Sequence, residues 1–402
     1  MKFYFDDADY DDQLKRTASA AYCGAADLGE MLVAASAVTP GDPASWHDQW
    51  SAAAMRAEAL ATKSPTDDAS TAGAWLRAAE YWRQAFFYLR GDLGDTRLLT
   101  CWKRHRAAFR AAVPHLPVSC TIASIPFDGC HLTGYLLRPA GAVDSRATVV
   151  LPAGYDSTAE CGYVETAWMA LERGFNAFTI EGPGQGGALY EDHVPMRPDY
   201  ESVLAPALDW LEGQQGVDRG RIALVGRSYA GYLAPRAAAV EHRIAALVCD
   251  PGQVEFVSRI TGMLSRQFAS AGGLTWQMIE AASPATDALL EQVRSIPAMR
   301  DMLAPRMVTL GARTVGDFLR KQGSYTLDGK AALIRCPTLV VDCEGDFASQ
   351  SDMLFAALTC PKQMIRLNAQ SGAGGHCGGL GQQVWAAAVF PWLAEALAER
   401  AN

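Results

Sequence analysis

Ser228 is the residue of this sequence whose setting most clearly suggests chemistry. It lies in the stretch GRSYAG, which follows the apolar run RIALVG and precedes alanine-rich residues that favour a helix. Small residues, Gly226 and Ala230, flank it, as a tight strand-to-helix turn requires, because larger side chains would clash there. The pattern predicts that Ser228 is held in a sharp turn as a nucleophile. The alternative is an ordinary loop serine that caps a helix.

A serine nucleophile needs a base, and the base needs an acid that orients it. His376 lies in the glycine-rich stretch SGAGGHCGGL, just after the last predicted strand, and is the predicted base. We expect Cys377 beside it to be incidental. Asp346 lies in the loop LVVDCEGDFASQ after the preceding strand and is the predicted acid. Asp250, at the end of an earlier strand, is the alternative acid, or otherwise a capping or substrate-contacting residue.

Two backbone N–H groups are the predicted donors to the oxyanion that forms when a serine attacks a carbonyl. One donor is the residue after the nucleophile, and the other belongs to a loop after an earlier strand. Here the first is Tyr229. The loop is LPAGYDSTAE, in which Tyr155 directly follows Gly154, so the backbone N–H of Tyr155 is the second predicted donor.

These residues must be brought together by a sheet whose strands end at one edge. Six short apolar runs predict strands and alternate with helical segments: ATVVLP (147–152), FNAFTI (175–180), RIALVG (221–226), IAALVC (244–249), PTLVVD (337–342) and MIRLNA (364–369). This alternation predicts an α/β fold with a mostly parallel sheet and helices on both faces. Before it, the dipeptide Asp128-Gly129 lies between alternating β-formers and predicts a hairpin with a two-residue turn.

Two helical regions flank this pattern. Residues 1–115 carry apolar residues at helical spacing and half of the ten tryptophans, so they predict an N-terminal helical cap domain. Residues 116–402 form the predicted catalytic domain. Within it, residues 252–330 hold helical patterns but no clear strand, which predicts a helical lid insertion. Aromatic side chains of the two regions are expected to line part of a pocket.

Composition excludes several classes of function. Half of the 402 residues are hydrophobic and the net charge is -9, which disfavours nucleic acid and anionic membranes as partners. No apolar run approaches the roughly 18 residues of a membrane span, and the start MKFYFDDADYDD lacks the pattern of a secretory signal. We therefore expect a cytoplasmic protein with a small-molecule substrate. The sequence does not decide whether it forms a homodimer.

No metal or cofactor site is predicted. The ten cysteines form no C-x-x-C pair and no Cys/His cluster with zinc spacing. The stretch EGPGQGG formally spells G-x-G-x-x-G after a strand. A dinucleotide-binding loop must open directly into a helix, whereas the prolines that follow here, Pro195 and Pro198, favour a tight loop without one.

Five stretches together, AGYDSTAE, EGPGQGG, GRSYAGYLAPRAAA, CEGD and GAGGHC, resemble one group of α/β-hydrolases. The group contains 2,6-dihydroxypseudooxynicotine hydrolase and the fungal hydrolases that shorten pigment polyketides. The resemblance covers nearly the whole chain, including the N-terminal region, which packs over the active site as a cap in that group. It places the triad at Ser228, Asp346 and His376. Departures at Ala153 and Ala230 touch the oxyanion region but remove no catalytic group.

The resemblance implies cleavage of a carbon–carbon bond beside a carbonyl on an aromatic compound, or ester hydrolysis. A leaving carbanion would take its proton from protonated His376 or from Asp250. An acyltransferase or cyclase would use the same triad behind a drier lid and is the alternative enzyme. A non-catalytic binding protein is the third class, which the complete triad disfavours. A route through a gem-diol, with His376 as base and no acyl-enzyme, would replace the covalent one if Ser228 proved dispensable.

Overall fold

A twisted sheet of mostly parallel strands lies at the centre of the computed structural model, which describes residues 2–63, 67–142, 144–267 and 274–398. Its strands are β1 (Val118–Phe127), β2 (Cys130–Pro139), β3 (Arg146–Pro152), β4 (Asn176–Ile180), β5 (Val217–Arg227), β6 (Ala246–Asp250), β7 (Thr338–Cys343) and β8 (Lys362–Leu367). Their order is β1-β2-β4-β3-β5-β6-β7-β8. The strand β2 is antiparallel to β1 and β4, and the remaining pairs are parallel. The predicted α/β fold is confirmed.

The first two strands form the expected hairpin. Asp128 and Gly129 have φ values of 41° and 83°, the left-handed conformation that a two-residue turn needs at both central positions. The largest difference from the predicted strands is at β5, which begins at Val217 rather than at residue 221.

Helices cover both faces of the sheet. They are α1 (Ala8–Ser19), α2 (Leu28–Ser36), α3 (Pro43–Lys63), α4 (Asp68–Phe87), α5 (Thr96–Ala112), α6 (Trp168–Glu172), α7 (Gly186–Tyr190), α8 (Glu201–Glu212), α9 (Ala230–Ala238), α10 (Val257–Gln267), α11 (Trp276–Glu280), α12 (Pro284–Glu291), α13 (Pro297–Thr309), α14 (Val315–Gly323), α15 (Ser351–Ala357) and α16 (Gln382–Ala398). None of these described helices is both long and apolar enough to cross a bilayer.

Alternate residues of the strands belong to two apolar cores, one on each face. Val149 and Leu151 pack in the core that also holds Trp46 and Trp102 of the N-terminal helices. Val150, between them, packs in the core that also holds Phe318 of the insertion. Strands that are buried on both faces consist of continuous apolar runs, and for this reason the strands could be predicted from the sequence.

The N-terminal helices and the insertion therefore lie against opposite faces of the sheet. The helices α1–α5 and a 3₁₀ turn end at His115, and β1 begins at Val118, close to the predicted division at residues 115 and 116. The insertion between β6 and β7 contains α10–α14. A single antiparallel bridge joins its two ends, at Glu255 and Thr326.

One local prediction was wrong. A helix, α7, does begin directly in the stretch EGPGQGG, at Gly186, because the prolines that argued against it come only after the helix has ended. At the start of α7 the N–H of Gly187 donates to the carboxylate of Glu181 at 3.2 Å. The chain's own carboxylate thus lies where a dinucleotide-binding loop would hold a pyrophosphate.

Candidate active site

Ser228 lies in the predicted sharp turn, between the end of β5 and the start of α9. Its φ is 56°, a left-handed conformation that costs a non-glycine residue roughly 1–3 kcal/mol and is held by its surroundings. Its N–H donates to the carbonyl of Asp250 at 2.7 Å. A Cβ on Gly226 would lie 2.1 Å from the carbonyl oxygen of Ala230, and one on Gly231 would lie 2.0 Å from that of Pro251. Steric exclusion thus explains the two glycines of GRSYAG, Gly226 and Gly231.

Three side chains from three loops form a continuous hydrogen-bonded chain. The Nε2 of His376 lies 2.8 Å from the Oγ of Ser228, and its Nδ1 lies 2.8 Å from the Oδ1 of Asp346. The Asp346 side chain is fully buried, whereas 32% of the His376 side chain is exposed. A buried carboxylate on Nδ1 favours the tautomer with a proton there, which leaves Nε2 free to accept the serine proton.

The charge environment of His376 favours its protonated form. Burial alone would lower the pKa of His376, but Cys377 and the hydrogen bond to Asp346 raise it well above its ordinary value. The Cys377 contribution requires a thiolate, but burial raises the pKa of this thiol, so at neutral pH it is uncharged and the hydrogen bond and charge of Asp346 remain as the causes of the raised His376 pKa. The pair is therefore suited to stabilise an imidazolium that forms during a reaction.

Asp250, the alternative acid, lies beneath the turn and does not bond to His376. It is fully buried, and its carboxylate accepts a hydrogen bond from Nε of Arg227 at 3.2 Å. Burial raises the pKa of Asp250. Arg227 also donates to the carbonyl of Cys377 at 2.6 Å, so the pair fastens the serine turn to the histidine loop. Contact between Asp250 and substrate remains a prediction, and its burial does not favour that contact.

The two predicted oxyanion donors lie beside the serine. A Cβ on Gly154 would lie 3.5 Å from the Cβ of Ser228 and 3.9 Å from its Oγ, so the loop before Tyr155 packs against Ser228. Within the described part of the chain, the backbone N–H groups of Tyr155 and Tyr229 have no hydrogen-bond partner. Free N–H groups in this position are available to a ligand oxygen.

Gln185 is a residue that the sequence analysis missed. Its Nε2 donates to the carbonyl of Ala153 at 2.7 Å and to that of Gly154 at 2.8 Å, while its Oε1 accepts the N–H of Gly182 at 2.6 Å. The C=O and N–H of a trans peptide point in opposite directions. By holding the Gly154 carbonyl, Gln185 therefore fixes the direction of the Tyr155 N–H. The stretch EGPGQGG was the available signal, but nothing in its letters identifies the partner.

Cys377 is closer to the reacting groups than its predicted incidental role implies. Its Sγ lies 3.2 Å from the backbone nitrogen of Ser228 and 3.8 Å from the Nε2 of His376, and its φ is 50°. The ligand atoms of Asp346, His376 and Cys377 lie within 4.8 Å of one another. The Asp346 carboxylate and the His376 ring nitrogens already have hydrogen-bond partners, which accounts for this cluster without a metal.

Aromatic side chains of the insertion pack against Tyr229, the residue after Ser228. The ring of Tyr229 stacks on Phe256 with a centroid distance of 4.5 Å and lies 5.9 Å from Tyr325. Its hydroxyl accepts a hydrogen bond from Nε2 of Gln322 at 3.0 Å. The ring of Phe347 is 4.9 Å from His376 and is 67% exposed. Aromatic rings thus lie beside both Ser228 and His376.

Comparison with known proteins gives consistent results over most of the chain. The sequence profile of the alpha/beta hydrolase family matches residues 149–379. The hydrolase acrC of Aspergillus aculeatus is 32% identical, over 97% of this chain and 95% of that protein. The 20-hydroxy-prefusarin hydrolase FUS2 of Gibberella moniliformis is 30% identical, over 92% of this chain and 91% of that protein.

Solved structures share the fold, including its N-terminal helices. The crystal structure of 2,6-dihydroxy-pseudo-oxynicotine hydrolase superposes with a TM-score of 0.65 at 20% identity, and covers 94% of this chain and 95% of that one. The wild-type AbyA5 structure gives a TM-score of 0.63 at 17% identity, over 92% and 95% of the two chains. Because the covered share exceeds nine-tenths, the helical N-terminal region belongs to the shared architecture.

Proposed function

This chain belongs to the α/β-hydrolase family, and on that premise we propose that Ser228, His376 and Asp346 are the catalytic triad of a serine hydrolase. The single observation that carries the proposal is the unbroken hydrogen-bonded chain from Oγ through the imidazole to a buried carboxylate, with both contacts at 2.8 Å. The strained serine turn supports it, because the surroundings hold Ser228 in a conformation that a capping serine would not need.

The proposed reaction begins when the Oγ of Ser228 attacks a carbonyl carbon and Nε2 of His376 takes the hydroxyl proton. Asp346 stabilises the imidazolium, and the N–H groups of Tyr155 and Tyr229 donate to the oxyanion. The bond from the carbonyl carbon to the leaving oxygen or carbon then breaks, and His376 returns its proton to the leaving atom. Water attacks the acyl-enzyme with His376 again as base, which frees the acid and restores Ser228.

The oxyanion donors should contribute much of the rate. Loss of one such donor costs roughly 10²–10³ in kcat in comparable sites. Donors fixed in direction before the substrate arrives have no reorganisation cost at the moment of reaction. The bonds from Gln185 to the Ala153 and Gly154 carbonyls support this role for Tyr155.

The proposed substrate is a small to medium, apolar or aromatic carbonyl compound of secondary or catabolic metabolism. Support comes from the stacked rings of Tyr229 and Phe256 beside the nucleophile, since flat aromatic side chains favour flat apolar ligands. The relatives' names support it too: one is a hydrolase of 20-hydroxy-prefusarin. Cleavage of a carbon–carbon bond beside the carbonyl and cleavage of an ester use the same groups of this site.

A substrate panel tests the proposal and separates the two reactions. The purified protein and its Ser228→Ala variant are incubated with aryl β-diketones, short aryl esters and acyl thioesters, and the products are identified by mass. Turnover that disappears in the variant, while its circular dichroism and melting temperature stay at wild-type values, supports the triad. Turnover that survives in the variant contradicts the covalent route and favours the gem-diol route. Ester turnover without diketone cleavage would identify an esterase.

A further inference from the structure

Arg90 is a buried cation that forms no ion pair with any described residue. It follows α4, is 6% exposed, and its Nε donates to the carbonyl of Phe87 at 2.8 Å. Its guanidinium lies 4.1 Å from the ring centroid of Phe87 and 5.5 Å from that of Tyr155. Within the described residues no carboxylate lies within ion-pair distance of Arg90, and its terminal nitrogens have no hydrogen-bond acceptor.

Three other arginines of the N-terminal helices, one buried and two partly buried, are ion-paired. Arg16 bonds to Asp156 at 2.8 Å and also to Glu165, and Arg83 bonds to Glu80 at 2.7 Å. Arg106 bonds to Glu160 at 3.0 Å and to Glu181 at 3.1 Å. A buried charge is costly unless it is paired. Arg90 differs from these three in having no ion pair within the described residues, so only more distant groups such as Asp156 offset its burial.

Two further hydrogen-bond donors lie at the Tyr155 ring: its own hydroxyl and the guanidinium of Arg306. The hydroxyl of Tyr155 is buried and has no hydrogen-bond partner in the part of the chain that the structure describes. Arg306, on α13 of the insertion, approaches the Tyr155 ring to 5.4 Å, and its described hydrogen bond is to a carbonyl, that of Met302 at 2.6 Å. The nearest acids act on this pair only from beyond ion-pair distance: Asp156, which helps to raise the pKa of Arg90, is ion-paired with Arg16, and Asp9 faces both arginines.

The Tyr155 ring connects this cluster to the nucleophile. Tyr155 follows Gly154, which packs against Ser228. The backbone N–H of Tyr155 is one of the two proposed oxyanion donors. We propose that Arg90, Arg306 and the Tyr155 hydroxyl form a subsite for an anionic oxygen of the substrate, a carboxylate or a phenolate, about one tyrosine side chain from the carbonyl that Ser228 attacks. This inference rests on the proposed function and narrows its substrate class.

The chemistry of the three donors selects an anion. A guanidinium offers only N–H donors and no acceptor, and two of them repel any cation. A neutral ring would leave the Tyr155 hydroxyl and the Arg90 nitrogens unsatisfied. A carboxylate or phenolate bound beside them would accept from these donors and give Arg90 an ion pair. Hydrogen bonds to charged groups imply a preference of roughly 10- to 100-fold for the anionic substrate over its neutral counterpart.

Two matched ester series test the subsite. One consists of mono-4-nitrophenyl esters of dicarboxylic acids of increasing length, and the other of acetate esters of hydroxybenzoates. Each is compared with its methyl-capped, uncharged counterpart. We expect the wild-type protein to have a higher kcat/KM for the charged ester than for its capped counterpart in at least one series. The preference should appear at one chain length of the dicarboxylic esters or for one hydroxybenzoate isomer. Arg90→Met should abolish that preference, Arg90→Lys should restore part of it, and Tyr155→Phe should reduce it. Equal preference in wild type and Arg90→Met would overturn the subsite.

A matched control comes from Arg104, which lies 4.0 Å over the ring of Trp82 and bonds to Glu58 elsewhere in the N-terminal helices. Arg104→Met removes a stacked arginine without touching Tyr155 and should leave the charge preference unchanged. If Arg104→Met loses the preference to the same extent as Arg90→Met, a general disturbance of the helices explains the effect and the subsite is overturned.

Binding to a variant that cannot react separates this inference from the proposed function. Calorimetry with Ser228→Ala compares 4-nitrobenzoate with its methyl ester, with and without Arg90→Met. Tighter binding of the carboxylate that disappears with Arg90 supports the subsite, even if wild type turns over none of the esters and the proposed function fails. Equal binding of the two ligands to Ser228→Ala overturns the subsite, even if Ser228 proves catalytic.

Discussion

The N-terminal helices and the helical insertion support the two proposed oxyanion donors in different ways. From the N-terminal side, Arg106 bonds to Glu181, and the same loop carries Gln185, which holds the carbonyl before Tyr155. From the insertion side, Phe256 stacks on the ring of Tyr229 and Gln322 bonds to its hydroxyl. One donor is thus fixed through buried polar contacts to its backbone, and the other is flanked by aromatic contacts to its side chain.

This difference suggests that the two regions have different roles in the protein. A buried and satisfied polar network fixes geometry, and each broken contact is costly because it leaves a charge or a carbonyl unpaired. Stacked rings give contact area with less strict geometry. We therefore expect the N-terminal side to control folding and kcat, and the insertion side to control substrate affinity. Four changes test that comparison, beginning with the most damaging.

Deletion of residues 1–115 should prevent soluble folding. These helices share an apolar core with the sheet, where Phe109 packs 5.0 Å from Tyr135 and 5.8 Å from Tyr163. Their loss would expose that face and leave Glu160 and Glu181 buried without Arg106. The soluble yield and the melting transition of the truncated chain measure the effect. A truncated chain that is soluble and fully active would show that the N-terminal region is not needed for folding or activity, and would contradict this prediction.

Glu181→Gln should change how stability depends on pH. Burial raises the pKa of Glu181 to about 7, because neither Arg106 nor the N–H of Gly187 fully compensates it. A carboxyl whose folded pKa is raised stabilises the fold below its unfolded pKa, and that contribution is lost as pH rises through the folded value. The rise from an unfolded value of about 4.5 corresponds to about 3 kcal/mol.

Urea unfolding at pH 4 and pH 8 measures this effect. From pH 4 to pH 8 the wild type should lose about 3 kcal/mol of unfolding free energy that Glu181→Gln does not lose. The variant should therefore gain that amount of stability relative to wild type. Glu191, a half-exposed acid on the same arginine, gives the matched control Glu191→Gln, for which we expect little change. A Glu181→Gln difference that is independent of pH would show that folding does not shift the pKa of this carboxyl, and would contradict the prediction.

The sequence predicted the parts of this arrangement that are local. The small residues around Ser228, the turn at Asp128 and Gly129, and the apolar runs of the sheet each impose their structure within a few residues. Chain order was enough to place Asp346 and His376 in neighbouring loops. The bonds from Gln185 to the loop before Tyr155 join residues about thirty positions apart, and no pattern of letters encodes such a contact. The same holds for Arg90 beside Tyr155.

Gln185→Ala should lower kcat by roughly 10- to 100-fold, because the Tyr155 N–H loses its fixed direction. KM should change much less. Gln185→Glu should be at least as damaging, since a carboxylate cannot donate to the two carbonyls. Gln84 gives a matched control: it is equally buried and donates to the carbonyl of Gln13 at 2.9 Å within the N-terminal helices. Gln84→Ala should lower stability and leave kcat unchanged. Equal kcat losses in both variants would show that Gln185 acts only through stability.

Gln322→Ala should have the smallest effect. Loss of its hydrogen bond to the Tyr229 hydroxyl removes roughly 0.5–1.5 kcal/mol, which should raise KM by up to about tenfold and leave kcat nearly unchanged. Arg320, on the same helix, bonds to Asp287 inside the insertion, so Arg320→Met serves as the control. Steady-state kinetics separates the two parameters. A fall in kcat with unchanged KM would contradict the proposed division between the two regions.

The central claim is that Ser228 is a nucleophile activated by His376 and Asp346. The most direct measurement is the intact mass of the protein after exposure to an aryl fluorophosphonate, in which Oγ displaces fluoride and forms an oxygen–phosphorus bond. We expect one adduct per chain, located at Ser228 by peptide mapping. It should be absent from Ser228→Ala and should form far more slowly in His376→Ala. No adduct on the folded wild-type protein, or an adduct that persists in Ser228→Ala, would contradict the account.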